Sequence, residues 1–352
     1  MNDEKNILWD VFTAKSEYSA AEKDEYGRVS SKFTSNKELL YPVVSKYLHK
    51  SGFQPTYPGN RKFAVCLTHD VDLLAKYDPN YRYVPHSFEN KVRHTAKKIL
   101  GIKEPVQLNP DWRLEKMISL DKKYNATATY FFLALKKNEK DFNYELEQIK
   151  YLFPLLVNSG CEIGLHGSHE AYRNLSGMIR EKNTLQEIAK TKIAGYRNHF
   201  LRFSIPETWS HLASAGFVYD TTFGFADHIG FRNGMCYPFS PFNVKTGNFF
   251  DLLELPLVIM DVSLFHYMRF SYRDALEQCC RLIDEVESCR GVLTFLWHNN
   301  YVTGEMGEFY ESILKYVYNK NGWMTSAIDL VKWWREKQYS QLMQELLHTL
   351  KQ

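Results

Sequence analysis

From residue 61 onward, short apolar runs alternate with longer segments in which apolar positions recur every three or four residues. Runs such as "ATATYFFLA" and "CEIGLHGS" are typical of buried strands, whereas "SYRDALEQCCRLIDEVESC" is typical of an amphipathic helix. Glycines close several helical segments just before the next strand, as helix C-caps do. Strands that alternate with helices in this way predict parallel βαβ units.

The pattern predicts seven strands, at 62–70, 126–134, 161–168, 193–200, 217–225, 252–260 and 291–300. No glycine-rich phosphate-binding loop follows the first of them, which argues against an open nucleotide-binding sheet. Seven strands in this order favour a (β/α) barrel, so the predicted fold class is α/β. The last apolar periodicity, at 326–350, predicts one long closing helix.

Residues 1–60 are polar and only weakly periodic. The stretch at 13–44 is typical of a helix, a turn that contains glycine and a second short helix. We therefore predict an N-terminal accessory extension over 1–60, packed on a barrel formed by 61–352.

Composition narrows the classes of function. The chain has 44 Lys and Arg residues against 41 Asp and Glu, a net charge of +3, which does not favour a nucleic-acid or membrane-surface partner. The six cysteines lack the paired spacing of a metal site. No apolar stretch is long enough to span a membrane, and "MNDEKNILWDVF" lacks the features of a secretory signal. We therefore expect a cytoplasmic protein, and the sequence leaves its oligomeric state open.

The end of the first predicted strand carries an unexpected pair of acids. In "FAVCLTHDVDLL" an apolar run is followed directly by Asp70 and Asp72. Because the side chains of a strand alternate between its two faces, these acids should point the same way. Two like charges side by side cost free energy unless a cation, a donor or a proton compensates them. The pair therefore indicates a site that attracts positive charge.

Polar side chains recur at the ends of other predicted strands. His166 ends the third strand, Arg197 lies in the fourth, Asp220 in the fifth and His298 in the seventh. In (β/α) barrels the C-terminal ends of the strands share one face, where the chemistry gathers. We therefore predict that these residues and the acid pair form one site.

The segment "HGSHE" offers further metal ligands. His166 is followed by His169 three residues later and by Glu170 four residues later, and either spacing places two ligands on one face of a helical turn. With Asp72 this gives three protein ligands, which favours Zn²⁺ or another divalent first-row metal. Either His169 or Glu170 completes the set.

The remaining residues then have separate predicted roles. Asp70 is the base that takes a proton from the attacking water, and Arg197 keeps it ionised. His298 is the acid that protonates the leaving nitrogen, and Asp220 is a candidate partner that keeps it cationic. His199 is a weaker candidate that shares a strand face with Arg197 and could line the site.

Between about residues 62 and 334 the chain resembles the polysaccharide deacetylases with NodB homology, carbohydrate esterase family 4. "LTHDVD" resembles the first family motif, of a base and a metal-binding acid, and "HGSHE" resembles the second, metal-binding motif. "GYRNHF" resembles the arginine motif, "YDTTFG" the fourth motif and "FLWH" the motif of the acid histidine. The upstream "EYGRVSSKF" is similar to a bacterial subgroup with an N-terminal accessory segment. The resemblance implies a distorted barrel of about seven strands and metal-dependent deacetylation of a glycan.

Two departures from the family pattern keep other functions open. The second motif usually spaces its histidines by four residues, and the proline that usually follows the third-motif arginine is absent. The leading hypothesis is a deacetylase of an N-acetylated amino sugar that is free, nucleotide-linked or lipid-linked. One alternative is a hydrolase of the same fold that cleaves a non-sugar C–N amide bond. The other is a catalytically retired protein that binds a glycan or a partner, for which altered metal spacing would be the mark.

Overall fold

The computed structural model describes residues 2–19, 22–74, 112–134 and 144–350. Its strands are β1 (Ala64–Val71), β2 (Thr129–Leu133), β3 (Glu162–Gly167), β4 (Gly195–Asn198), β5 (Tyr219–Asp220), β6 (Phe242–Asn243), β7 (Asn248–Phe249), β8 (Leu253–Glu254), β9 (Leu257–Met260), β10 (Val292–Leu296) and β11 (Trp323–Thr325). Its α-helices are α1 (Asn2–Phe12), α2 (Val43–Lys50), α3 (Trp112–Lys123), α4 (Leu146–Ile149), α5 (Leu152–Asn158), α6 (Leu175–Ala189), α7 (Glu207–Ser214), α8 (Tyr272–Ser288), α9 (Gly304–Asn319), α10 (Ala327–Lys337) and α11 (Tyr339–Thr349).

One curved, parallel sheet forms the core of the protein. Its strand order is β8-β5-β4-β3-β2-β1-β10-β9, and β11 also pairs with β1. Neighbouring strands along this order are parallel, and helices connect most of them. This architecture confirms the predicted α/β class and the distorted (β/α) barrel. Only the short β6–β7 pair is antiparallel among the described strands.

The register of the sheet brings the predicted site residues to one end. β3 pairs with β2 so that His166 lies opposite Leu133, and with β4 so that His166 lies opposite Arg197. β1 pairs with β2 so that Asp70 lies opposite Phe131. Because parallel strands share a direction, the ends of β1, β3 and β4 meet at the same edge of the barrel.

Burial on both faces explains why the strands read as nearly continuous apolar runs. All eight residues of β1 are buried, as are all five of β2 and β10. Two glycines allow rings from a neighbouring strand to pack directly on the backbone. A Cβ atom at Gly164 would lie 2.4 Å from the Phe131 ring, and one at Gly195 would lie 2.0 Å from the Tyr219 ring.

The N-terminal segment is tied to the barrel by buried polar contacts. The Nε atom of Arg232 donates to Glu17 at 2.9 Å, and the Asn36 amide donates to the Phe231 carbonyl at 2.6 Å. Over the described residues 13–19 and 22–42 the helical structure consists of short 3₁₀ turns, and α2 begins at Val43. The prediction of a helix, a glycine-containing turn and a second short helix over this stretch is therefore wrong. Side-chain and backbone contacts to the barrel replace the regular hydrogen bonds of a helix.

The closing segment is two helices and not the single one predicted at 326–350. Gln338 separates α10 from α11 and has φ −123°, outside the helical range. Its side-chain amide donates to the carbonyl and the hydroxyl of Thr56, at 3.1 and 3.0 Å. This attachment to the N-terminal part of the chain accompanies the break in the helix. Over the described ranges, none of the helices has the length and apolarity that crossing a membrane requires.

Candidate metal centre and active site

The strand ends surround a cavity of about 160 Å³. Titratable side chains form one part of its lining and apolar side chains the other. The lining residues are Arg28, Asp70, Asp72, His166, His199, Phe200, Leu201, Met260, Val262, Tyr267 and His298.

Three of these side chains converge on one point. His166 Nε2 lies 3.0 Å from His199 Nδ1 and 3.3 Å from Asp72 Oδ1, and His199 Nδ1 lies 3.7 Å from Asp72 Oδ1. Ligands that bind one zinc ion at about 2.0 Å in a tetrahedral arrangement are roughly 3.3 Å apart. The spacing of Asp72, His166 and His199 therefore fits a single divalent ion.

Hydrogen bonding orients His166 for such a role. Its Nδ1 lies 3.1 Å from the Arg197 carbonyl oxygen. Because a carbonyl oxygen only accepts, Nδ1 carries a hydrogen, and Nε2, which faces Asp72 and His199, is the nitrogen available to a metal ion. Fixing a ligand imidazole through its other nitrogen is a common feature of metal sites.

A strained turn after β4 carries His199. Phe200 and Leu201 both have left-handed backbone angles, with φ of 59° and 52°, which bulky residues rarely adopt. The Asn198 side chain donates to the His199 carbonyl at 2.9 Å and holds the turn. Backbone strain of this kind concentrates at functional sites. The strained pair directly follows His199, which lies two residues beyond Arg197.

The electrostatics of the cluster also favour a cation. Burial raises the pKa of Asp72, but contacts with His166 and His199 outweigh it and lower the pKa below its ordinary value. Burial lowers the pKa of His199 to about 3, so its imidazole is neutral and can act as a ligand. Burial lowers the pKa of His166, but Asp70 and Asp72 outweigh it and raise the pKa. The two acids thus attract positive charge to this point, as a proton or as a metal ion.

Unpaired oxygen atoms support the same conclusion. Asp70 Oδ1 and Asp72 Oδ1 are buried, and neither accepts a hydrogen bond from the residues that the structure describes. A buried carboxylate oxygen without a donor is costly unless a cation compensates it. One carboxylate and two imidazoles form a ligand set that zinc accepts, with a position left open for water and substrate.

The other two predicted ligands, His169 and Glu170, do not belong to this group of converging atoms. Glu170 is half exposed and accepts from Arg202 at 2.6 Å, and Arg173 pairs with its second oxygen. The His169 ring packs against the rings of His199 and Phe200, with centroids 5.1 and 4.7 Å away. The structure therefore brings His199, and not His169 or Glu170, beside His166 and Asp72, and the His169 ring packs against His199.

Asp70 borders the cluster on the side of Arg197. Asp70 Oδ2 lies 3.7 Å from His166 Nε2, and Asp70 Oδ1 lies 3.7 Å from Arg197 Nη1. Arg197 is fully buried and donates through Nε to Thr221 and through Nη2 to Thr68, both at 2.9 Å. These two bonds fix the guanidinium so that its remaining terminal nitrogen faces the Asp70 carboxylate.

His298 borders the cluster on the opposite side, and its partner is a residue that the sequence did not suggest. His298 Nε2 lies 3.6 Å from Asp72 Oδ2, and His298 Nδ1 donates to Asp261 at 2.8 Å. Burial lowers the pKa of His298, but the charges of Asp261 and Asp72 outweigh it and raise the pKa to about 10. Asp261 follows the apolar run "LPLVIM" directly, so an acid at a strand end was the available signal.

Asp220 is not the partner of His298. It accepts from the Thr222 hydroxyl at 2.6 Å, and its strand pairs in register with Glu254. Both acids are fully buried, Asp220 in β5 and Glu254 in β8, and burial is the largest cause that raises the pKa of each. The prediction that Asp220 keeps His298 cationic is therefore corrected: Asp261 makes that contact.

Comparison with known proteins identifies the fold of the chain. No family model and no curated protein matches the chain. A Mycobacterium smegmatis protein assigned to the polysaccharide deacetylases matches with a TM-score of 0.54 and 16% identity, over 80% of this chain and 93% of its own. The chain has the polysaccharide deacetylase fold.

Two other solved structures match this polysaccharide deacetylase fold at lower similarity. A family 4 carbohydrate esterase from Streptomyces lividans has a TM-score of 0.41 and 11% identity, covering 75% of this chain and 92% of its own. A family 4 pseudoenzyme from Bacillus anthracis has a TM-score of 0.41 and 11% identity, covering 77% of this chain and 66% of its own. At these identities the likeness concerns the fold, and the chemistry must be argued from the side chains.

Proposed function

We propose that this protein is a metal-dependent hydrolase that removes the acetyl group from an N-acetylated amino sugar. The observation that carries the proposal is the arrangement of three potential ligands between an acid and an imidazole. Asp72, His166 and His199 present three atoms within 4.8 Å of one another, with Asp70 on one side and His298 on the other.

The three ligands would hold a divalent ion, and zinc fits the donor set best. Such an ion supplies a Lewis acid and activates water near neutral pH. The neutral imidazole of His199 can act as a ligand directly, and the oriented His166 would bind through Nε2 once the ion displaces the proton that Asp70 and Asp72 favour there. Asp72 contributes the single negative charge of the set.

The flanking residues would move the protons. Asp70 takes a proton from water while the water oxygen attacks the acetyl carbonyl carbon, and Arg197 holds the Asp70 carboxylate in place. His298 gives its Nε2 proton to the amine nitrogen as the C–N bond breaks, which releases acetate and the free amino sugar. Asp261 keeps His298 protonated until that step, because its carboxylate accepts from Nδ1.

The apolar part of the cavity suits the acyl group. Leu201, Met260 and Val262 line it beside the polar cluster. A methyl group placed there leaves water at little cost, because the surrounding side chains are themselves apolar. The pocket would therefore favour acetyl over bulkier or charged acyl groups.

Metal analysis coupled to acetate release tests the proposal. The purified protein is dialysed with zinc, its metal content is measured, and acetate is assayed with N-acetylhexosamine derivatives. We expect about one ion per chain and acetate release that a chelator abolishes and zinc restores. A protein that retains no stoichiometric metal and releases no acetate would be a catalytically retired binding protein instead.

The size of the cavity favours a second candidate, the hydrolysis of a non-sugar acetamide. A volume of about 160 Å³ is below the range of roughly 300–1,000 Å³ that is usual for ligand pockets. A small acetylated amine without a sugar ring discriminates between the two. Faster hydrolysis of that amine than of any N-acetylhexosamine derivative would favour the second candidate.

A further inference from the structure

A cation from the N-terminal segment borders the candidate active site. Arg28 lines the same cavity as Asp70 and His298, and only 8% of its surface is exposed. Its guanidinium lies over the rings of Tyr26 and Tyr267, 4.7 and 5.5 Å from the ring centroids. These rings fix the guanidinium by cation–π contact.

Arg28 does not use all of its N–H groups in hydrogen bonds to the described residues. Its Nε donates to Asp24 at 2.6 Å, its Nη1 to the Phe200 carbonyl at 3.1 Å and its Nη2 to the Tyr267 hydroxyl at 2.8 Å. A guanidinium carries five N–H groups. One N–H on each terminal nitrogen of Arg28 therefore has no partner among the described residues.

Arg28 is not needed to attach the N-terminal segment to the barrel, because other contacts hold the segment there. The Ser30 hydroxyl donates to Asp227 at 2.7 Å, and Glu17 and Arg232 form a buried ion pair. Both contacts lie outside the cavity lining. Among the described residues of this segment, Arg28 is the one that lines the cavity.

We propose that Arg28 binds an anionic group of the substrate, so that the preferred substrate is an acetamido sugar that carries a phosphate ester or a carboxylate. This inference rests on the proposed deacetylase function and specifies its substrate class. A guanidinium with one available N–H on each terminal nitrogen matches two oxygen atoms of either group. The N-terminal segment thus supplies the specificity of a site whose chemistry lies on the barrel.

Three matched substrates test the inference: methyl N-acetylglucosaminide, N-acetylglucosamine 1-phosphate and N-acetylglucosaminuronic acid. The wild type should have the highest kcat/KM with one of the two anionic substrates, and that substrate identifies the source of the charge. Arg28→Gln should lower kcat/KM for that substrate roughly tenfold to hundredfold, the usual effect of losing a charged hydrogen bond. The neutral substrate should change less than about threefold. An equal loss for all three substrates would assign Arg28 a structural role and overturn the inference.

Two further variants separate charge from general damage. Arg28→Lys should retain part of the preference for the anionic substrate, because it keeps the charge but not the paired donors. Arg202→Gln is the matched control: Arg202 pairs with Glu170 outside the cavity, so its loss should leave the substrate ratio unchanged.

Binding to the Asp70→Asn protein keeps the inference testable without turnover. Titration calorimetry with the same three compounds should show tighter binding of an anionic one, and adding Arg28→Gln should remove the difference. If that charge preference is present but the wild type releases no acetate from any of them, the proposed function fails and the inference about Arg28 stands. If no charge preference is found, the inference fails whatever the activity.

Discussion

Asp261 accepts two hydrogen bonds from His298, one from Nδ1 at 2.8 Å and one from the backbone N–H at 2.5 Å. Asp261 is fully buried at the end of β9, so its charge acts on the imidazole with little screening by water. The pair fixes the tautomer of His298 and leaves Nε2 pointing to the cavity, 3.6 Å from Asp72. This is the geometry that a general acid requires.

Removing the charge of Asp261 should change the pH dependence of the reaction. In Asp261→Asn the pKa of His298 falls, because the neighbouring negative charge that raises it is gone. A general acid works only while protonated, so the alkaline limb of the kcat/KM profile should move to lower pH. Acetate release measured from pH 6 to 10 gives the profile.

Asp284→Asn serves as the control for this shift. Asp284 is half exposed and pairs with Lys320, and it does not line the cavity. Its substitution should leave both limbs of the profile in place. An unchanged alkaline limb in Asp261→Asn would show that His298 does not depend on Asp261 for its proton.

Metal retention should identify His199 as the third ligand. His199→Ala removes one of three converging atoms and should leave little zinc bound after dialysis, with loss of acetate release. Glu170→Ala should retain wild-type metal content, because Glu170 pairs with Arg202 and Arg173 instead. Elemental analysis of both purified variants makes the comparison. Equal metal content in the two would remove His199 from the ligand set.

Asp70→Asn should separate catalysis from metal binding. The substitution removes the base but leaves Asp72, His166 and His199 intact, so metal content should equal that of the wild type. The rate of acetate release should fall about 10²- to 10⁴-fold, the usual contribution of a general base. Asp72→Asn is the contrasting variant, since it should lose metal and rate together. A wild-type rate in Asp70→Asn would exclude Asp70 from the mechanism.

The fold could be predicted because each strand is marked by a local feature of the sequence. Burial of whole strands makes each strand a visible apolar run, and parallel pairing then brings the strand ends together. Asp70, Asp72, His166 and His298 could be predicted as neighbours because each lies at or directly after a strand end. Asp261, the acid that was not predicted, also lies directly after a strand. The predicted strand ended at residue 260, and the acid that follows it was not included among the candidates.

The sequence placed His199 on the same strand face as Arg197, but it did not identify His199 as the third ligand. His169 has nearly the spacing of a helical metal motif, whereas His199 lies between the end of β4 and two left-handed residues, Phe200 and Leu201. Nothing in the side chains of phenylalanine or leucine favours that backbone conformation. Tertiary contacts impose it, so a pattern of residue types does not reveal it. The same applies to Arg28, whose approach to the cavity depends on how a weakly periodic segment packs.

Asp220 was placed at the site because it ends a strand, and its actual surroundings predict an effect on stability. Its side chain is fully buried beside Glu254, and burial raises its pKa from 3.8 to about 6. The folded protein therefore holds the proton more tightly than the unfolded chain does. Between about pH 4 and pH 6 the unfolded chain loses its proton first, so the free energy of unfolding falls as the pH rises.

Asp220→Asn has no proton to lose and should escape this fall. The free energy of unfolding of the wild type, minus that of the variant, should decrease by on the order of 2 kcal/mol from pH 4 to pH 6. Urea denaturation at pH 4, 5, 6 and 7 measures it. Asp251→Asn is the control, because its fully exposed carboxylate should give a difference that does not vary with pH. A constant difference for Asp220→Asn as well would mean that Asp220 stays ionised in the folded protein, with Arg197 and Thr222 outweighing its burial.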